Sequence, residues 1–178
     1  MTDTNMSGVA AGGPRREAGA RPRAFIMRRW PTILAIASAA VIGAPGNASG
    51  RELLILLAVE HLVITVIGVR SATWPTLVAL TAFVVVLGLQ DRVPVDAALV
   101  AVAAAALAIG LVRRRTERSE LVLQTAGVVL FGALGFTAGL ASPQVATYLV
   151  AAGWLGHSIW DFVHLWRDRT VARSYAEW

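Results

Sequence analysis

The chain is dominated by apolar runs that are too long and too uniform for the core of a small soluble domain. Leu53 to Val69, Trp74 to Leu89, Pro94 to Val112, Leu121 to Ala141 and Gln144 to Trp166 follow one another, divided by short polar breaks. A transmembrane helix needs about 20 predominantly apolar residues. In hydrocarbon, an open segment can satisfy its backbone polar groups only by coiling into a helix. A further run, Pro31 to Ala44, is short, but counting back to Ala24 makes it long enough if Arg28 and Arg29 snorkel to the interface. The expected fold is an all-α polytopic membrane bundle of six transmembrane helices, at about 24–44, 53–69, 74–89, 94–112, 121–141 and 144–166.

Composition agrees with this. Of the 178 residues 56% are hydrophobic and 15% charged, against about 25% charged in an ordinary soluble domain. All 16 basic residues are Arg, as a GC-rich bacterial genome would favour, and they fall between apolar runs rather than on one patch, which argues against nucleic-acid binding. There is no Cys, so disulfides and thiolate metal sites are excluded.

Arginine placement orients the bundle. With six spans and the N-terminus inside, the inside segments hold the arginines of residues 1–23, Arg70, the Arg113–Arg118 cluster, and Arg167, Arg169 and Arg173; the outside loops hold Arg51 and Arg92. A five-span alternative would put the tail and the Arg113 loop on opposite sides, against the positive-inside rule. Residues 1–23 therefore read as a disordered, Arg-rich cytoplasmic tail, 24–166 as the transmembrane domain and 167–178 as a second cytoplasmic tail. The expected location is the inner (plasma) membrane, with the lipid bilayer as the immediate partner. Trp30, Trp74 and Trp166 fall at span ends, where an aromatic belt would lie.

Ionisable groups at membrane depth are expensive and mark function by default. The three histidines, His61, His157 and His164, all lie in expected spans. His157, Asp161 and His164 are spaced i, i+4, i+7 and share a helix face. His61 lies nine residues before Arg70, and His157 ten before Arg167. At 1.5 Å per residue both are about 14–15 Å from the inner boundary, so they can meet across the bundle. His164, three residues before Arg167, is expected near the cytoplasmic interface. His157 and His164 stand about 10 Å apart along a straight helix, too far to share one ion directly.

The resulting single-ion arrangement uses His61, His157 and Asp161 as metal ligands, with a position left open for water. Asp161 and His164 are the candidate catalytic pair, His164 orienting Asp161 or relaying protons. Zinc suits mixed nitrogen and oxygen ligation. Glu60, about 100° around the helix from His61, is expected to face a different neighbour. Hydrogen bonding within the trio, with no function beyond packing, is the competing reading. Gly135 with Gly139, and Ala106 with Gly110, have the small-xxx-small spacing of close helix contacts.

The pattern Gly153-Trp154-x-x-His157-x-x-Trp160-Asp161-x-x-His164 resembles the C-terminal signature of small uncharacterised bacterial multi-pass membrane proteins. That resemblance covers about 25 residues and implies no activity. More loosely, the His157-x-x-x-Asp161 pair is similar to the intramembrane zinc hydrolases of the alkaline ceramidase type. That similarity would imply zinc, a lipid amide substrate and seven helices, whereas this chain has six expected spans and lacks a second motif of H-x-x-x-H type. The leading expectation is a metal-dependent hydrolase acting on a lipid or other apolar small molecule. A transport or proton-relay protein is the alternative. Haem binding through His61 and His157, with Gly153 and Gly156 giving room, and a scaffold subunit complete the set.

Overall fold

The computed structural model describes residues 20–42, 50–90, 92–113 and 116–178. Seven α-helices make up nearly all of them: α1 (Ala20–Ile42), α2 (Gly50–Ile67), α3 (Thr73–Gln90), α4 (Val95–Arg113), α5 (Arg118–Leu140), α6 (Pro143–Arg167) and the short α7 (Arg173–Ala176). A 3₁₀ turn, Arg70–Ala72, precedes α3, and no strand occurs among the described residues. Two compact units divide at residue 30. The described part of the first, 20–30, is helical, and the helical bundle belongs to the second, 31–178.

Three of the described helical stretches are long and apolar enough to cross a membrane: Arg70–Gln90, Val95–Arg113 and Arg118–Leu140. Their surfaces suit hydrocarbon: Val78, Leu89, Leu111, Val129 and Leu140 all point outward. Helix α2 is different, since it carries Arg51, Glu52 and Glu60 within 18 residues. It is also the centre of the bundle. Every residue from Leu54 to Leu62 is buried, and α3, α4, α5 and α6 all pack on it.

Glycines permit the tightest approaches. A Cβ on Gly135 of α5 would lie 2.7 Å from Ile55 of α2, and one on Gly110 of α4 would lie 2.9 Å from Leu121 of α5. Close packing of this kind substitutes for a hydrophobic driving force where lipid surrounds the helices.

Several boundaries differ from the sequence reading. Residues 20–23, expected in the tail, open α1; the rest of that tail lies outside the described residues. Pro31, the start of the short first run, sits inside α1. Residues 43–49 lie outside the described residues, and Gly50 starts α2.

The larger difference concerns residues 168–178. Asp168 takes a left-handed conformation (φ 48°) that ends α6. The chain then returns along the bundle. Arg70 pairs with Asp168 and its Nε donates to the Val171 carbonyl at 3.1 Å. The Ala172 amide donates to Thr73 Oγ1 at 3.0 Å, and Trp74 Nε1 donates to Ser174 at 2.9 Å. Val171 and Tyr175 are buried. Trp74, expected in an interfacial belt, packs against Tyr175 and Trp178, with ring centroids 5.8 Å apart in each case.

Candidate metal centre

Helix α2 delivers His61 to the middle of the bundle. Its Nδ1–H donates to the Leu57 carbonyl one turn back, at 2.9 Å. A carbonyl only accepts, so this bond puts the proton on Nδ1 and leaves Nε2 to face its neighbours. Helix α6 delivers the other two groups, His157 and Asp161, four residues apart on one face. His61 Nε2 lies 3.3 Å from Asp161 Oδ1, and His157 Nε2 lies 3.5 Å from Asp161 Oδ2. The two imidazoles meet edge to face, centroids 5.5 Å apart. Three ligand atoms, one from each residue, all lie within 4.8 Å of one another.

These atoms lack other partners. His61 Nε2, both nitrogens of His157 and Asp161 Oδ1 are buried and accept or donate no hydrogen bond. Leaving buried polar atoms unpaired is costly. A lone pair on His61 Nε2 facing a carboxylate oxygen also repels it unless a proton or a cation stands between them. A metal ion resolves both problems. With bonds of about 2.0–2.2 Å, two ligands on a tetrahedral ion stand roughly 3.4 Å apart. His61 Nε2 to Asp161 Oδ1 already matches that edge, while His157 Nε2 faces the other carboxylate oxygen, Oδ2. The Leu57 carbonyl provides the kind of outer hydrogen bond that would fix a ligating imidazole.

His164 belongs to a different arrangement. It was expected near an interface, orienting Asp161. It is instead buried, with its ring centroid 4.9 Å from that of His61. Counting residues along a helix axis ignores the reach of side chains that lean back toward the N-terminus. Its Nδ1–H donates to the Trp160 carbonyl at 2.8 Å, so its Nε2 accepts from Gln124 of α5 at 2.7 Å. Both nitrogens are thereby committed, and neither touches Asp161.

Glu60 takes a partner outside the trio. It is completely buried, and Tyr175 donates to its Oε2 at 2.9 Å. Burial pushes the Tyr175 hydroxyl well above its ordinary pKa, keeping it a neutral donor. The Tyr175 ring also lies against His61, centroids 5.5 Å apart. At the end of α6, the hydrogen bond from Arg70 holds the exposed Asp168 carboxyl below its usual range.

Sequence reasoning missed Gln124 and Tyr175. A glutamine within the apolar run of α5 was one available signal. The other was Val171, Tyr175 and Trp178 at i, i+4, i+7 in a segment otherwise read as a tail.

The walls are aromatic. Phe131 stacks on His157 at 5.0 Å, and Trp160 packs on Phe131 at 6.0 Å. The glycines expected to make room are filled: Leu54 sits against Gly153, and Phe131 would lie 3.4 Å from a Cβ on Gly156. A cavity of about 410 Å³ adjoins the trio, lined by His157, Asp161, Ser38, Trp154, Tyr175 and Trp178 among others. Comparison of the chain with protein-family models, curated proteins and solved structures returns no match.

Proposed function

We propose that this is a multi-pass protein of the bacterial inner membrane that holds a divalent ion, zinc by preference, on His61, His157 and Asp161, and hydrolyses an apolar substrate. The observation that carries this reading is the cluster of unpartnered ligand atoms on His61, His157 and Asp161 beside a cavity. Two imidazoles and a carboxylate suit zinc and leave a coordination position open. Such an ion supplies Lewis-acid and water-activating chemistry. The chain's own residues orient it: Leu57 fixes His61, and Phe131 and Trp154 hem in His157. The aromatic and aliphatic lining of the cavity favours a lipid-like substrate over a sugar or a nucleotide.

Six spans with both ends of the chain cytoplasmic remains the topology that best distributes the arginines. Single cysteines can test it directly, because the chain has none of its own. Residue 92 should label from outside, and residues 118 and 169 from inside.

Metal analysis of the purified protein tests the central claim. Wild type should carry about one equivalent, lost in His61→Ala and His157→Ala. Wild type holding no more metal than those variants would sink it. Proton relay is the second reading, favoured by the contact of His157, Asp161, His61, Glu60 and Tyr175 in one buried cluster. Proton flux in liposomes that Asp161→Asn leaves unchanged would remove it. Haem is disfavoured, since Leu54 and Phe131 occupy the space a porphyrin would need.

A further inference from the structure

A second cavity, of about 420 Å³, lies at the arginine-rich end of the bundle, where α2 and α4 end and α5 begins. Three arginines line it: Arg70, Arg113 and Arg169. Arg70 is engaged by Asp168 and the Val171 carbonyl. Arg169 is held loosely by Glu117 at 3.8 Å and stays mostly exposed. Arg113 makes no ion pair among the described residues. Two acids, Glu117 and Glu120, share the lining; Glu120 is already bound by Arg167. The cationic excess therefore centres on Arg113.

An independent observation points to a ligand. Thr65 lines the same cavity, is 92% buried as judged from its 8% exposure, and its hydroxyl has no hydrogen-bond partner. A threonine inside a helix ordinarily returns its hydroxyl to the carbonyl four residues back, as Thr125 and Thr147 do here. Thr65 does not. Its own carbonyl accepts from Thr116, which ties residue 116 to α2 beside the cavity. Gly68 opens the cavity further: it turns the chain at φ +73°, and a Cβ there would meet nothing. A 23-residue helix, α5, also starts at this end, with its first amides directed outward.

We propose that this cavity binds a phosphate monoanion or diester through Arg113, Arg169 and the Thr65 hydroxyl. On the orientation proposed above it lies at the cytoplasmic leaflet, so the headgroup of an anionic phospholipid is one source and free phosphate the other. The inference does not depend on the metal centre, which lies one turn away along α2.

Thermal unfolding of the detergent-solubilised protein, titrated with phosphatidylglycerol, phosphatidylcholine or inorganic phosphate, tests it. Phosphatidylglycerol should raise the midpoint where phosphatidylcholine does not. Arg113→Ala should weaken the apparent affinity about tenfold, the loss of one charge-assisted contact. Thr65→Val should weaken it as well, while leaving the ligand-free midpoint unchanged or higher, because an unpaired buried hydroxyl is removed. The same variant dependence with inorganic phosphate alone would assign the site to the free anion. Equal responses to both lipids with none to phosphate would overturn the proposal. So would a response that neither substitution alters.

Discussion

His157 and His164 lie seven residues apart on one helix, both buried, both near His61. One has two unpartnered nitrogens and a carboxylate beside it; the other has two satisfied nitrogens and an amide beside it. Sharing a face therefore does not mean sharing a task. A buried imidazole whose hydrogen bonds are complete stabilises the fold as it stands. One whose bonds are incomplete is waiting for a proton or an ion.

The comparison breaks most sharply under substitution. His157→Ala and Asp161→Ala should each reduce metal affinity by more than 100-fold, since direct ligands matter more than the outer shell, whose loss costs about 10–100-fold. His164→Ala should retain nearly stoichiometric metal. Isothermal titration of the apo-protein measures both, and equal losses at 157 and 164 would erase the distinction.

Stability should show the opposite order. Gln124→Leu strands His164 Nε2 in an apolar setting, at a cost of about 1–3 kcal/mol. The double substitution Gln124→Leu with His164→Phe should recover part of that loss, because no polar partner is then left unpaired. Chemical denaturation in detergent, with and without a chelator, separates this effect from metal loss.

What the sequence made legible depended on distance along the chain. The level of His61 against His157 followed from counting to the nearest arginine, and Asp161 followed from helical spacing. Gln124 did not, because its partner is 40 residues away and nothing local marks which face of α5 turns inward. Tyr175 was hidden for another reason. Its apolar spacing is carried by three residues among charged ones, and its partner Glu60 lies 115 residues back. The bundle itself was legible as helices, since hydrocarbon leaves an open chain no other way to satisfy its backbone.

Tyr175→Phe keeps the ring against His61 and removes only the bond to Glu60. It should destabilise by about 1–3 kcal/mol and leave metal content unchanged. Metal loss in this variant would show that Glu60 and Tyr175 belong to the centre itself.

The smallest effect is at Arg70 and Asp168. The folded Asp168 carboxyl titrates below its unfolded value, so its contribution is present above about pH 4. It is lost as the pH falls through the lower, folded value. Hydrogen exchange in residues 171–178 should be faster in Asp168→Asn than in wild type at pH 7, after correction for intrinsic rates. The difference should shrink as the pH falls below the ordinary aspartate range.

The enclosure of α2 bears on how such a chain is made. A helix carrying Arg51, Glu52, Glu60 and His61 is poorly suited to stand alone in lipid. The helices that shield it follow it in the chain, and the hydroxyl that bonds Glu60 Oε2 arrives 115 residues later. If α2 spans the membrane as proposed above, it would need shielding during synthesis until α5, α6 and residues 168–178 closed around it. On that topology, assembly of the bundle and completion of its polar centre would coincide late in biogenesis.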